Sequence, residues 1–304
     1  MEWQQILGFY HVATLGSFTK AADATFRTQS ALSQQIKALE EELDCQLFER
    51  IGKRKLRLTA AGETFLNFAR ETLKGYEHLT DELHELKGTP KGRLRVAAPF
   101  TTLYHLLPAP IREYTARFPH VELKMLDRSQ QGVFELVRSG DVDFGLALES
   151  AVPGDLAALR WKGVETAVMV PPDHHLAAAA SVTLEQVAAC PLILPPRELK
   201  FLFRKILEER LRELGAECHI ILESSNVELS SLYVEMGLGI SFATVVRDLP
   251  ALRKRRLKFI PVAELPGPDH IAVVMRRDKA LPSYKRSFLD ILFRKSPAGV
   301  PHPE

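Results

Sequence analysis

The sequence predicts a multidomain chain: an all-α head closed by a short basic hairpin, then one long helix, then an α/β part built as two lobes. Three observations predict it. Apolar residues recur at helical spacing from Ile6 to Leu43. From Phe65 to Leu86 they recur every three or four positions without interruption. From Gly92 onward short apolar strands alternate with helices. At ~150 residues per domain, 304 residues suit two domains with room for a third small one. Hydrophobic residues at 46% and charged residues at 26% are ordinary for a globular protein and exclude collagen-like, wholly disordered and disulfide-scaffold chains. Forty basic residues against 38 acidic ones give a net charge of +2, which says nothing about partners; the placement of those charges says more. Cys45, Cys190 and Cys218 are too few for a disulfide framework and fit a reducing compartment. None of them makes a C-x-x-C pair, so a structural zinc site is not expected; His174-His175 after Pro172-Asp173 reads as a turn, not a metal site, and no cofactor is expected. The Met-Glu-Trp-Gln-Gln start lacks a basic region followed by an apolar stretch, and no apolar run approaches the ~20 residues of a membrane span. The expectation is a cytoplasmic protein with no membrane partner.

The head reads as three helices. Trp3 to Leu15 carries Ile6, Leu7, Phe9, Tyr10 and Ala13 and stops at Gly16. Ser17 caps a short second helix with Phe18, Ala21 and Ala22. Thr28 caps a third, with Ala31, Leu32, Ile36, Leu39 and Leu43 inward and Gln29, Ser30, Ser33, Gln34 and Lys37 on the other side. Two helices joined by a short turn, the second with a polar outer face, describe a helix-turn-helix. Arg50-Ile51-Gly52-Lys53-Arg54-Lys55-Leu56-Arg57-Leu58 follows, five of its nine residues basic and none acidic. Gly52 permits a tight turn, and the alternation after it is that of a strand, so this is a wing.

Thr59 caps the long helix, whose seam is Phe65, Ala69, Leu73, Tyr76, Leu79, Leu83 and Leu86. Glu63, Glu71, Glu77, Asp81, Glu82 and Glu85 keep the remaining faces solvated. About 30 helical residues extend ~45 Å, and a rod that long needs a partner, here a second copy. Gly88-Thr89-Pro90-Lys91-Gly92 is a linker. Strands at Arg93–Ala97, Val121–Leu126 and Asp143–Leu148 enclose helices Tyr104–Phe118 and Gln131–Ser139, an order that implies a parallel sheet. A second run follows: strands Glu165–Val170, Leu192–Leu194, His219–Glu223 and Gly239–Phe242, with helices after Thr183, at Lys200–Leu214 and at Val227–Met236. Strand Ile271–Val274 and helix Ser283–Phe293 return to the first lobe, as in a hinged binding module. The domains are therefore 1–58, 59–90 and 91–304, with lobe I about 91–162 and 268–304 and lobe II about 163–267.

These residues carry a resemblance. Gly16-Ser17-Phe18-Thr19-Lys20-Ala21-Ala22, then Thr28-Gln29-Ser30-Ala31-Leu32-Ser33-Gln34-Gln35-Ile36-Lys37-Ala38-Leu39-Glu40, resembles the signature of LysR-type transcriptional regulators. Leu47-Phe48-Glu49-Arg50 and Leu58-Thr59-Ala60-Ala61-Gly62 continue it. Leu106-Leu107-Pro108, Arg138-Ser139-Gly140-Asp141-Val142-Asp143, Val170-Pro171-Pro172-Asp173-His174 and Gly237-Leu238-Gly239-Ile240 extend it more loosely through the α/β part. Two positions depart from the pattern: Ser30 stands where the family often has Pro, and Gln34 where it often has Arg, which alters the bases read. The resemblance implies a winged helix-turn-helix, a dimerising linker helix and a periplasmic-binding-protein-like effector domain. It also implies homotetramers that bind promoter DNA and respond to a small co-inducer, with RNA polymerase as a further partner of an activator.

Within that frame Thr28, Gln29, Ser30, Ser33 and Gln34 open the recognition helix, where base edges of the major groove are reached, while Lys37 meets phosphate. Arg50, Lys53, Arg54 and Lys55 supply a sequence-independent grip on the backbone. Arg253-Lys254-Arg255-Arg256 with Lys258 has no such neighbour and reads as solvated surface. Ligands of two-lobed α/β modules bind at strand carboxyl ends and helix starts, which selects Pro99, Phe100, Thr101 and Thr102, Ser129, Pro196 and Arg197, Asn226, and Thr244 as the effector site, with Arg197 as counter-charge for an anion. Each hydroxyl or amide among them is equally a plain helix cap. G-x-S-x-G, H-E-x-x-H, a P-loop and a post-strand G-x-G-x-x-G are missing, so no enzyme is expected. A thiol redox sensor using Cys190 and Cys218 is the alternative on the same fold, and a cytoplasmic small-molecule-binding protein a more distant one.

Overall fold

The computed structural model describes residues 1–51, 55–88, 90–197, 202–213, 215, 218–246, 255–265, 267–277 and 281–294. The chain divides into two compact units, Met1–Thr89 and Pro90–Glu304.

The first unit is α1 (Trp3–Leu15), α2 (Phe18–Ala24), α3 (Gln29–Glu42), β1 (Phe48–Ile51), β2 (Lys55–Leu58) and α4 (Ala60–Leu86). Its boundaries follow from local chemistry. Gly16 takes the left-handed φ of 61° that ends α1. Ser17, Thr28 and Thr59 each accept a backbone N–H with the side-chain oxygen, from Lys20, Ala31 and Gly62 respectively, and so start α2, α3 and α4. Ile6, Phe9, Ile36, Leu39, Leu47, Phe65, Leu66 and Ala69 form the core, and Val12, Ala21, Ala22 and Leu32 a second patch. Strands β1 and β2 pair antiparallel from Phe48↔Leu58 to Ile51↔Lys55. Glu40 of α3 accepts from the backbone N–H groups of Leu47 (2.7 Å) and Phe48 (3.2 Å), which ties the hairpin to α3.

Three expectations are corrected here. Ala31 and Leu43 are exposed, because the inward stripe of α3 is Leu32, Ile36 and Leu39; Ala31 stands one residue, about 100°, off that stripe, and Leu43 is the C-cap. Phe65 (8% exposed) and Ala69 (fully buried) do not belong to a dimer seam, since α4 spends its first turns on its own unit, with Phe65 edge-on to Phe9 at 4.8 Å. Asp81 is buried and electrostatically engaged instead of solvated.

The second unit runs β3 (Gly92–Ala98), α5 (Phe100–His105), α6 (Pro108–Arg117), β4 (Val121–Asp127), α7 (Gln130–Ser139), β5 (Phe144–Leu148), β6 (Leu156–Val170), α8 (Leu184–Ala188), β7 (Leu192–Leu194), α9 (Leu202–Glu213), β8 (Ile220–Glu223), α10 (Val227–Glu235), β9 (Ile240–Val246), β10 (Lys258–Pro261), β11 (Asp269–Arg276) and α11 (Ser283–Arg294). Its sheet has the order β4-β3-β5-β11-β6-β9-β7-β8, with β10 also on β6. Strands β4, β3 and β5 are mutually parallel, as are β8, β7 and β9, but β11 is antiparallel to β5 and β6, and β6 to β9. The sheet is thus mixed: β11 and β6 separate the two parallel groups, and the antiparallel steps β5-β11, β11-β6 and β6-β9 leave those groups running in opposite directions. The single helix expected at 104–118 is two, since Pro108 has no N–H to continue α5 and instead opens α6 at its first position.

Strand β6 starts nine residues earlier than the expected Glu165 and carries Trp161 and Val164 into one core and Val168 and Val170 into the other. The first core gathers β3, β5, β11, α6 and α11 around Tyr114, Phe144, Tyr284 and Phe288; the second gathers β6, β7, β9 and α8 around Val168, Leu184, Leu192 and Leu207. No described helix is long and apolar enough to cross a membrane.

Candidate nucleic-acid interface and effector site

In the first unit α3 turns Thr28, Gln29, Ser30, Gln34 and Lys37 to the surface, with Ser33 half-buried between them. Their offsets of one, four, five and eight from Gln29 to Lys37 place them along one side of the helix. The Thr28 hydroxyl is occupied as cap and lies 3.2 Å from the Ser30 hydroxyl, which stiffens the start of the helix. Lys37 sits 3.4 Å from Glu41, an exposed pair worth little. The turn before α3 holds features that spacing did not reveal. Arg27 donates to Gln35 Oε1 (2.7 Å) and Gln4 Oε1 (2.8 Å), fastening α3 to α1. Phe26 has φ 54° and is 99% exposed, a strained conformation for an aromatic residue that leaves its ring in solvent. Arg50 and Lys55 pair through β1 and β2 with Leu56 and Ile51; Lys53 and Arg54 lie outside the described residues, as do Arg253 and Lys254.

Beyond α4's buried first turns, Tyr76, Leu79, Leu83 and Leu86 are 53%, 51%, 47% and 83% exposed, with Leu73 half-buried. Trp3 covers part of this row, its ring 4.6 Å from that of Tyr76.

In the second unit the effector candidates gather in pairs. Parallel β3 and β4 end side by side, and the Arg128 N–H donates to Ala98 O (3.1 Å), so Pro99–Thr102 and Ser129 are neighbours. Parallel β7 and β8 do the same, with Ser224 N–H donating to Leu194 O (2.9 Å), which brings Pro196 and Arg197 beside Asn226. Phe100 stacks on Tyr104 at 5.4 Å. Ser129 and Asn226 are helix caps, accepting from Gly132 and Leu229. Thr102 is buried and its N–H is spent on Pro99 O, so that N–H is not offered to a ligand. Thr244 lies within β9, paired with Thr166, because that strand continues to Val246. Arg197 is not a free counter-charge: it donates to Glu208 at 3.0 Å. Glu208 also receives Arg204, a buried residue that donates to Pro195 O and to Glu223 (2.6 Å) and so props the loop after β7 against β8. Burial works against the Glu208 carboxylate, but hydrogen bonds from Arg204 and Arg197 hold it below the usual carboxylate range.

Among the described residues α5 touches α10. His105, at the end of α5, lies 2.5 Å through Nε2 from Glu228 Oε1 in the first turn of α10. A carboxylate only accepts, so Nε2 carries the proton; Nδ1 is buried with no partner among the described residues. The pair is separated by 123 residues, and no local pattern marks it. Burial pushes the Cys190 thiol up, which opposes the thiolate a peroxide sensor needs.

A model of bacterial regulatory helix-turn-helix proteins of the lysR family matches residues 3–63, and that of the LysR substrate binding domain matches residues 87–296. The chain belongs to the LysR family. This LysR-type protein is a DNA-binding transcriptional regulator with an effector-binding domain. It is 32% identical to the HTH-type transcriptional regulator CysB of Burkholderia cenocepacia, over 91% of this chain and 88% of that protein. It is 28% identical to the transcriptional activator CmpR of a Synechocystis species, over 94% and 92%. Among solved structures, full-length CbnR in complex with its target DNA shares the fold at a TM-score of 0.64 and 22% identity, over 97% and 99% of the two chains. Full-length BenM does so at 0.56 and 23%, over 97% and 96%.

Proposed function

We propose that this LysR-type regulator binds promoter DNA as a dimer, assembled further into a homotetramer, and that a small anionic co-inducer in the α/β unit changes how its heads sit on the operator. The exposed polar side of α3 beside a basic hairpin carries the DNA reading. Gln29, Ser33 and Gln34 read base edges, where one bidentate Gln–adenine pair discriminates by about 1–3 kcal/mol. Lys37, Arg50, Lys53, Arg54 and Lys55 hold phosphates. The double variant Lys53→Ala, Arg54→Ala is expected to weaken binding to every duplex and to shallow the plot of log K against log salt by about 0.9 per lost phosphate contact; an unchanged slope refutes the wing assignment. Gln34→Ala changes the selected motif while leaving the slope intact.

The dimer is supported by the exposed Tyr76, Leu79, Leu83 and Leu86, spaced three, four and three residues apart as in a coiled-coil seam. Leu79→Glu with Leu83→Glu is expected to yield monomers in sedimentation and to reduce operator affinity. Sedimentation identical to the parent places the interface elsewhere.

The co-inducer is assigned an anionic group because strand ends and helix starts present N–H dipoles. A ligand shifts the lobe arrangement only by its differential affinity for the two states, and the His105–Glu228 contact between α5 and α10 is where the two groups of candidate residues feel it. Calorimetry with a panel of carboxylates, sulfate and phosphate is expected to find one ligand whose binding changes operator affinity; tight binding only of cations overturns the anionic reading. An activator of this kind engages RNA polymerase as well.

A further inference from the structure

The far end of the second core carries a cluster that neither DNA reading nor effector binding uses. His174, His175 and Cys190 each present one ligand atom, and the three atoms lie within 4.8 Å of one another. We propose that these side chains bind a thiophilic divalent cation of the zinc class.

The arrangement is built by two separate stretches of chain. After β6 the Pro171–Asp173 turn leads into a short 3-10 helix at His175–Ala178, and the rings of His174 and His175 lie 4.3 Å apart, tilted by 32°. Cys190 follows α8 and is 3% exposed; its thiol has a long contact of 3.5 Å to Gln186 O. Two imidazoles and one thiolate are a donor set that zinc accepts, with a fourth position left for water. His175 is exposed and open to an arriving ion, while Cys190 supplies the floor. On binding, the Cys190 S–H bond is replaced by an S–metal bond and its proton passes to solvent.

His174 Nδ1 now accepts the Leu176 N–H at 3.3 Å. Binding ends that bond whichever ring nitrogen is used: metal at Nδ1 takes the lone pair directly, and metal at Nε2 moves the ring proton onto Nδ1. The amide of Leu176 is therefore a local reporter. The site is distinct from the effector candidates. It stands at the amino end of β7 and the carboxyl end of β6, whereas Pro196, Arg197 and Asn226 follow the carboxyl ends of β7 and β8. A second grouping, Glu149, Asp269 and His270, is less suited, since Arg160 already holds Glu149 at 2.7 Å and Ser150 holds Asp269 at 2.6 Å.

The test is a cobalt(II) titration of the full, tag-free chain, followed by zinc competition. The expected result is one ion per chain with a near-ultraviolet thiolate-to-cobalt charge-transfer band that zinc abolishes. Cys190→Ser loses the band, while Cys45→Ser and Cys218→Ser keep it. His175→Ala, at an exposed position that leaves the fold intact, weakens binding about tenfold or more, since even outer partners of such sites are worth that much. In two-dimensional NMR zinc moves the Leu176 amide resonance. Absence of a charge-transfer band in the parent chain, or a band that survives Cys190→Ser, overturns the proposal.

Discussion

Replacing Lys285 by methionine is expected to destabilise the α/β unit by about 1.5–3 kcal/mol, the worth of a hydrogen bond between charged groups out of water. Asp143 is 2% exposed and Lys285 7% exposed, with Nζ 3.0 Å from Oδ1. The other carboxylate oxygen accepts the Arg95 N–H at 2.7 Å, and the Asp143 N–H returns a bond to Arg95 O at 2.8 Å. The carboxylate thus joins β3, the entry to β5 and α11, elements at the two ends of the unit. Methionine keeps the length and apolar stem of lysine, so packing changes little and the effect isolates the charge. Adding Asp143→Asn, which keeps an oxygen for Arg95, is expected to recover part of the loss. Urea unfolding followed through buried Trp161 in a Trp3→Phe background measures it; a shift below about 1 kcal/mol would show that the pair carries no such role.

Gly62→Ala is expected to destabilise the first unit and to lower operator affinity with it. An added Cβ falls 2.0 Å from Leu47 O and 3.0 Å from both Leu47 C and Leu58 Cδ2. A side chain can rotate away from such a clash, but a backbone carbonyl cannot. This carbonyl accepts the Thr59 N–H at 3.1 Å, and Thr59 Oγ1 donates to Gln46 O at 2.6 Å. Moving α4 off Leu47 therefore breaks the bonds that hang the hairpin on the helix. Two effects compete: alanine gains about 1 kcal/mol of helix propensity over glycine, while forced overpacking costs about 1–3 kcal/mol and more against rigid backbone. The clash wins. Thermal unfolding of this unit together with operator titration decides it, and a variant as stable as the parent would show that α4 can shift freely.

The helices of the first unit were legible because each boundary is written in adjacent residues: Gly16, Ser17, Thr28 and Thr59 act within three or four positions of themselves. The seam of α4 was legible as a period, yet periodicity does not say which partner covers it, and Phe65 and Ala69 proved to face Phe9 and its neighbours. That the loops after β3 and β4, and those after β7 and β8, lie side by side was legible from strand order, because parallel strands align their carboxyl ends. Arg197 misled, since the Glu208 that neutralises it lies eleven residues along and came into reach only through α9.

The amino-acid sequence alone determined the family, the three helices and wing of the head, and the alternation that makes the second unit α/β, because these depend on spacing and capping within a turn or two. Tertiary structure decided what distant residues meet: His105 with Glu228, Asp143 with Lys285, and the two histidines at 174 and 175 with Cys190. Such contacts depend on how strands return through the sheet, and β11, inserted antiparallel between β5 and β6, is a long-range pairing that no local pattern of side chains encodes.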